Sequence, residues 1–249
     1  MAIFNIFKKK QEPEVPGTIS ETASFIQKRR HQRYDVRPTD LCTLDVDGPQ
    51  GVSIRLRNIS HFGCFADDLA QTTLDKLTLP TMAKVTLAGR VHTIEIISVA
   101  KRSGGFGISF RHASVEALQG MGELILPLHW GVSATFLGEE PSSNNPALRR
   151  LKFRGEGQFD LIVECDASDE VQFLMGTFMM PGGHYVSVIW DGESLTTKKT
   201  VNINDPSARM AKTETLDQHI VHICAAACLG IKRPVTDNCA ILLCRRAKS

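Results

Sequence analysis

The sequence has no run of about eighteen apolar residues, so no stretch reads as a membrane-spanning helix. Its start does not read as a secretory signal either, because the short apolar run Ala2-Ile-Phe-Asn-Ile-Phe7 precedes the lysines instead of following them. There is little net charge. The 29 Lys and Arg stand against 27 Asp and Glu, a balance of +2. That argues against bulk attraction to a nucleic acid polymer, and any anion site must be a local concentration of charge. The seven cysteines include no Cys-x-x-Cys, and their odd number fits free buried thiols in a reducing cytoplasm. No internal repeat is evident.

What is present divides by periodicity. Residues 1–24 read as a flexible tail, with Phe4-Asn-Ile-Phe7 before Lys8-Lys-Lys10 and then two prolines and a glycine that oppose regular structure. A patch this short, backed by three lysines, would give at most weak contact with an anionic membrane surface, and a solvated leader is the simpler account. From about 34 to 111 the period is two, that of a strand. Cys42, Leu44 and Val46 alternate with Thr43 and Asp45, and Val52, Ile54 and Leu56 alternate with Ser53, Arg55 and Arg57. Further strand-like runs follow at 85–87, 91–99 and 106–110. Short strands joined by polar turns predict a six-stranded antiparallel β-barrel. Ser114 can cap a helix after it, although Gly120 and Gly122 weaken that helix.

Residues 131–149, with two prolines and no apolar periodicity, read as a linker or long loop. Strand-like runs at 159–165, 171–175 and 185–190, a helix at 215–231 and a final buried strand at 239–244 predict a second α+β domain over 150–249. The expected organisation is therefore a tail (1–24), a barrel domain (25–130), a linker (131–149) and an α+β domain whose role the sequence does not identify.

The densest local charge lies just before the first strand. Gln27-Lys-Arg-Arg-His-Gln-Arg33 holds four formal positive charges in seven residues. Arginine's planar fork donates paired hydrogen bonds to phosphate oxygens or to the O6/N7 edge of guanine, and it also stacks on a purine. Four-residue spacing brings Arg29 and Arg33 to one side of the chain, able to clamp one ligand. About 25 residues later, Asn58-Ile-Ser60 sits where the alternation of the second strand stops. Asn and Ser suit a turn, and Gly63 permits a close approach that a side chain would block. Taken singly, the arginines read as a solvated basic leader and the turn as an ordinary turn.

In this order, Arg29-Arg-His-Gln-Arg33 and Asn58-Ile-Ser-His-Phe-Gly63 resemble the two signature elements of the PilZ family, Arg-x-x-x-Arg before the first strand and Asp/Asn-x-Ser-x-x-Gly at the end of a later one. Gly105-Phe-Gly107-Ile-Ser-Phe110 is similar to the family's closing strand. The resemblance covers about residues 25–126. It implies a PilZ-type barrel that binds the bacterial second messenger cyclic di-GMP. Arg29 and Arg33 would grip guanines and phosphates, Asn58 and Ser60 would contact a guanine from the barrel surface, and Gly63 would leave room. Arg30 matches no signature position and would add a phosphate contact. Cys64 departs from the pattern, standing where a second glycine is common, and His61-Phe62 is bulky for that turn.

Rival chemistry is less well supported. His219-x-x-His222-x-Cys224-x-x-x-Cys228 is the densest metal-like cluster, but on a helix the cysteines share an apolar side that the histidines do not. They read as small core residues. Cys165 with His184, and Asp166 with Asp169 and Glu170, match no catalytic signature. The glycines at 104, 105 and 107 lack the rest of a nucleotide fingerprint. Trp130 and Trp190 read as core residues. No active site, metal or cofactor is expected. The expectation is a cytoplasmic, non-enzymatic receptor that couples messenger binding to a conformational change acting on a protein partner. The alternative is a ligand-independent interaction scaffold that works through its C-terminal domain.

Overall fold

The computed structural model describes residues 32–36, 40–46, 52–67, 74, 77–180, 183–200, 211–212 and 216–248. The 1–24 tail, Arg29, Arg30 and the expected turns at 47–51 and Gly182 lie outside the described residues. The chain from Arg33 onward forms one compact unit.

Alternating apolar residues build the first sheet. Its strands are β1 (Tyr34–Asp35), β2 (Cys42–Val46), β3 (Val52–Ser60), β4 (Gly63–Asp67), β5 (Thr81–Leu87), β6 (Arg90–Arg102) and β7 (Gly105–Arg111). They lie in the order β1-β3-β2-β5-β6-β7-β4, and β3 pairs again with β4, so β2–β7 close into a six-stranded antiparallel barrel. Closure leaves β2–β7 without the unpaired edges of an open sheet. Leu44, Leu56, Ile59, Val85, Leu87, Ile96 and Phe106 fill the interior and are essentially inaccessible. Each such side chain contributes on the order of 1.5–3 kcal/mol by leaving water.

Helix α1 (Val115–Val132) follows, and the Ser114 hydroxyl caps it by accepting from the Ala117 N–H at 3.2 Å. Met121, Leu124, Ile125 and Leu128 form its buried stripe. Gly120, a weak helix former, has a packing role here, because a Cβ would come within 2.8 Å of the His92 ring.

A second antiparallel sheet runs in strict sequence order through β8 (Thr135–Pro141), β9 (Arg149–Gly155), β10 (Phe159–Cys165), β11 (Val171–Met180), β12 (His184–Trp190), β13 (Leu195–Thr200) and β14 (Ala211–Lys212). The span 131–149, expected as a linker, holds the end of α1, strand β8 and a turn that buries Ser142. Helices α2 (Gln218–Gly230) and α3 (Pro234–Arg246) pack on the sheet, α2 against β12 and α3 against β11.

The final strand expected at 239–244 is a correction, because these residues lie inside α3. The local signals favour a helix. Pro234 occupies the first helical position, and the Thr236 hydroxyl accepts from the Arg233 N–H and donates to the Arg233 carbonyl. Val235, Cys239, Ala240, Leu243 and Cys244 are the buried apolar side chains, a helical spacing that a short apolar run hides.

The two sheets are joined through α1 and α2, which cross at Gly131 and Gly230. The barrel's β5–β6 turn adds a contact. There Gly89 lies under the His222 ring of α2, where a Cβ would come within 2.7 Å of Nε2.

Candidate functional site

The short strand β1 decides the geometry of the candidate site. It pairs antiparallel with the end of β3, Tyr34 opposite Ile59 and Asp35 opposite Asn58, and the Val36 N–H donates to the Arg57 carbonyl at 2.8 Å. Arg33 immediately precedes this pairing and Ser60 immediately follows it, and the Arg33 guanidinium lies close enough to act on Cys64 of β4. On its other edge the same stretch of β3 pairs with β4, Asn58 opposite Phe65 and Ser60 opposite Gly63. Sequence positions 25 residues apart are thereby brought side by side.

A β-bulge sets which way they face. The β3–β4 register shifts between Leu56 and Asn58. Ile54 and Leu56 point inward, and after the extra residue Ile59 does so too, opposite buried Tyr34 and Cys64. Asn58 and Ser60 therefore share the outer face with exposed Arg33 and Asp35 and with half-buried Phe65. Arg57, on the same face, pairs with Asp67 of β4.

Each polar group there has a distinct state. The Ser60 hydroxyl donates to the Gly63 carbonyl at 3.0 Å, which tightens the turn. Asn58 Oδ1 is buried and accepts no hydrogen bond, an arrangement that costs about 1–3 kcal/mol unless a ligand or water supplies a donor. Burial pushes the neighbouring Cys64 thiol well above its ordinary value, with Cys42 adding to the rise and the nearby Arg33 guanidinium opposing it. Asp35 Oδ2 accepts from Lys232 Nζ at 3.1 Å.

The turn itself is braced from below. The His61 carbonyl accepts from His112 Nε2 at 2.6 Å, the Phe62 carbonyl accepts from the Phe110 N–H at 2.9 Å, and the Phe62 and His112 rings meet edge to face. Gly63 is required by packing against β7, because a Cβ there would run into the Ile108 carbonyl. The room it makes is for a neighbouring strand.

Of the expected site residues, Arg33, Asn58, Ser60 and Gly63 come together. Arg29 and Arg30 lie outside the described residues. Sequence reasoning passed over Asp35, Phe65 and Lys232. Alternation from Tyr34 places Asp35 on the outer face, and it was the one signal available. Nothing local marks Lys232, which is 197 residues away from Asp35 in the chain.

The competing clusters come apart. Cys224 and Cys228 lie buried within α2, while His219 is exposed and His222 turns toward Gly89. Among the described residues no group of three or more His, Cys, Asp or Glu is placed to hold a metal ion. Cys165 pairs with Val171 at one end of β11 and His184 with Met180 at the other, roughly 30 Å apart along the strand. Asp166 accepts from the Ser168 and Glu170 N–H groups at 2.8 and 3.0 Å and so shapes its own turn, and Asp169 is held by Arg149 at 2.5 Å. Trp130 packs on Phe178, and Trp190 lies under the Arg246 guanidinium.

Among the described residues no helix is long and apolar enough to cross a membrane. Comparison with family models, curated proteins and solved structures returned no match to this chain.

Proposed function

We propose that this chain is a PilZ-type receptor for cyclic di-GMP, a binder and not a catalyst, acting in a reducing cytoplasm where its seven free cysteines stay reduced. The observation that carries the reading is the pairing of β1 with β3, which sets Arg33 beside Asn58 and Ser60 on one outer face of the barrel. In this reading Arg33, with Arg29 and Arg30, holds phosphate oxygens and the O6/N7 edge of a guanine. Asn58 Oδ1, buried without a donor, accepts from the base's N–H groups. Half-buried Phe65 supplies an aromatic side chain beside it. The ligand's two phosphodiester charges favour a cationic half-site closing over them, a change that a protein partner reads.

Isothermal calorimetry on the full-length chain tests the proposal. Saturable binding of cyclic di-GMP is expected, with Arg33→Ala weaker by about ten-fold or more, since a lost charge-assisted contact costs on the order of 1.5–3 kcal/mol. Wild-type affinity in the Arg33→Ala protein would sink it.

A further inference from the structure

We propose that Lys232, in the α2–α3 turn of the C-terminal region, is a ligand-contacting residue of the β1–β3 site. The inference rests on reading that face as the messenger site, and it makes the site composite.

The geometry begins at Asp35. Its carboxylate accepts from Lys232 Nζ at 3.1 Å, and its Cα partner across the ladder is Asn58. Residues directly opposite in an antiparallel pair have Cβ atoms about 5 Å apart. The lysine tip bonded to Asp35 therefore stands within one side-chain length of Asn58, on the face that carries Arg33. The side chains of both partners remain open to solvent, 46% for Lys232 and 68% for Asp35.

Lys232 is also presented from an unusual backbone. Its φ is +61°, a left-handed conformation that a non-glycine residue adopts at a cost. It lies between the end of α2 and Pro234 at the start of α3, and the adjacent Arg233 guanidinium sits 4.0 Å over the Phe136 ring. The turn is thus fixed on both sides and points its lysine at β1. A solvent-exposed pair of this kind contributes little to stability. That is too little to hold the barrel to the second sheet, a task that the α1–α2 crossing already performs.

Electrostatics gives the pair a use at the ligand. An unneutralised Asp35 beside Asn58 repels a phosphodiester. Lys232 cancels that charge and, when an anionic oxygen arrives, can donate to it and to Asp35 together, because an ammonium has three donors. The C-terminal region thereby touches the ligand directly.

The test is calorimetric titration of full-length protein with cyclic di-GMP at low and high salt, on variants whose thermal midpoints match wild type. Lys232→Gln is expected to weaken binding roughly three- to ten-fold and to flatten its salt dependence, since one screened attraction is gone. Lys232→Arg should retain binding. Asp35→Asn should bind as well as wild type or better, because it removes a negative charge and leaves the lysine in place. If the pair were only a strut between two parts of the chain, Lys232→Gln and Asp35→Asn would act alike and leave the salt dependence unchanged, which overturns the inference. Wild-type affinity in Lys232→Gln alongside a loss in Arg33→Ala would overturn this inference alone. Failure of the wild-type chain to bind at all would remove the messenger reading with it.

Discussion

Gly131 of α1 and Gly230 of α2 meet so closely that neither has room for a side chain. A Cβ on Gly131 would collide with the Ala227 carbonyl, and one on Gly230 would come within 2.5 Å of the Leu128 carbonyl. Backbone meets backbone on both sides, so no flexible atom can give way. This crossing carries α1, which follows the barrel, onto α2, which covers the second sheet. Gly131→Ala is expected to destabilise the whole chain by about 1–3 kcal/mol, the cost of overpacking a close contact. Urea unfolding measures it, and an unchanged midpoint would contradict the crossing.

The turn glycine of the candidate site makes a different prediction from a ligand-space role. Gly63→Ala drives a methyl into the Ile108 carbonyl of β7 and should destabilise the barrel by about 1–3 kcal/mol, with or without ligand. If the variant unfolds at the wild-type urea concentration yet binds less messenger, Gly63 serves the ligand and not the β4–β7 contact.

Ser60 tightens the same turn through its bond to the Gly63 carbonyl, and it is only 6% exposed. Ser60→Ala removes the donor and leaves that carbonyl to find another, at about 0.5–1.5 kcal/mol. Thermal denaturation of the ligand-free protein should show the loss. A variant as stable as wild type would mean that the hydroxyl is held in reserve for the ligand.

Two histidines predict the acid limb of stability. Burial lowers His92 and His222 below the ordinary histidine value of 6.5. His222 is pushed further down by His219, Lys248 and Arg90, and His92 by His112, although a backbone hydrogen bond at Ala117 opposes the fall in His92. For such a group the unfolded chain binds protons more readily, so stability is fully present above about pH 6.5 and erodes as pH falls toward the folded values. His222→Gln should flatten part of that decline in denaturation curves taken from pH 7 down to 5, since it leaves nothing to protonate beside Gly89. An identical pH profile would refute the assignment.

The cysteines should be chemically silent in the folded state. All seven are free and buried, and burial pushes Cys42 up to about 12 and Cys244 up to about 11. At those two positions the reactive thiolate is scarce, and burial keeps reagents from all seven. A thiol-reactive chromogenic disulfide at mildly alkaline pH is expected to label none of them until denaturant is added. Rapid labelling of one native thiol would show that residue to be accessible and overturn the prediction.

Much of the barrel was legible because strand alternation is a local signal. Cys42, Leu44 and Val46 and then Ile54 and Leu56 announce which side of each strand faces inward, and Ser114 announces the helix that follows. Residues 239–244 are not legible in this way, because an apolar run of six residues fits either period. Only the capping contacts of Arg233 and Thr236 and the neighbouring α2 decide for a helix. Strand β8 within 131–149 is equally hidden, because a strand at the sheet edge needs no apolar face of its own.

The sequence alone determined the barrel's alternation, the charge balance that confines any anion site to one place, and the residue types at Arg33, Asn58 and Ser60. Tertiary structure alone decided that these three share a face, since that depends on the β1–β3 register and on one extra residue in a bulge. It alone set Lys232 beside Asp35 across 197 residues of chain. Alternation is written by neighbours along the chain, whereas register and long-range ion pairs are settled only when distant backbones compete for the same hydrogen bonds and the same buried volume.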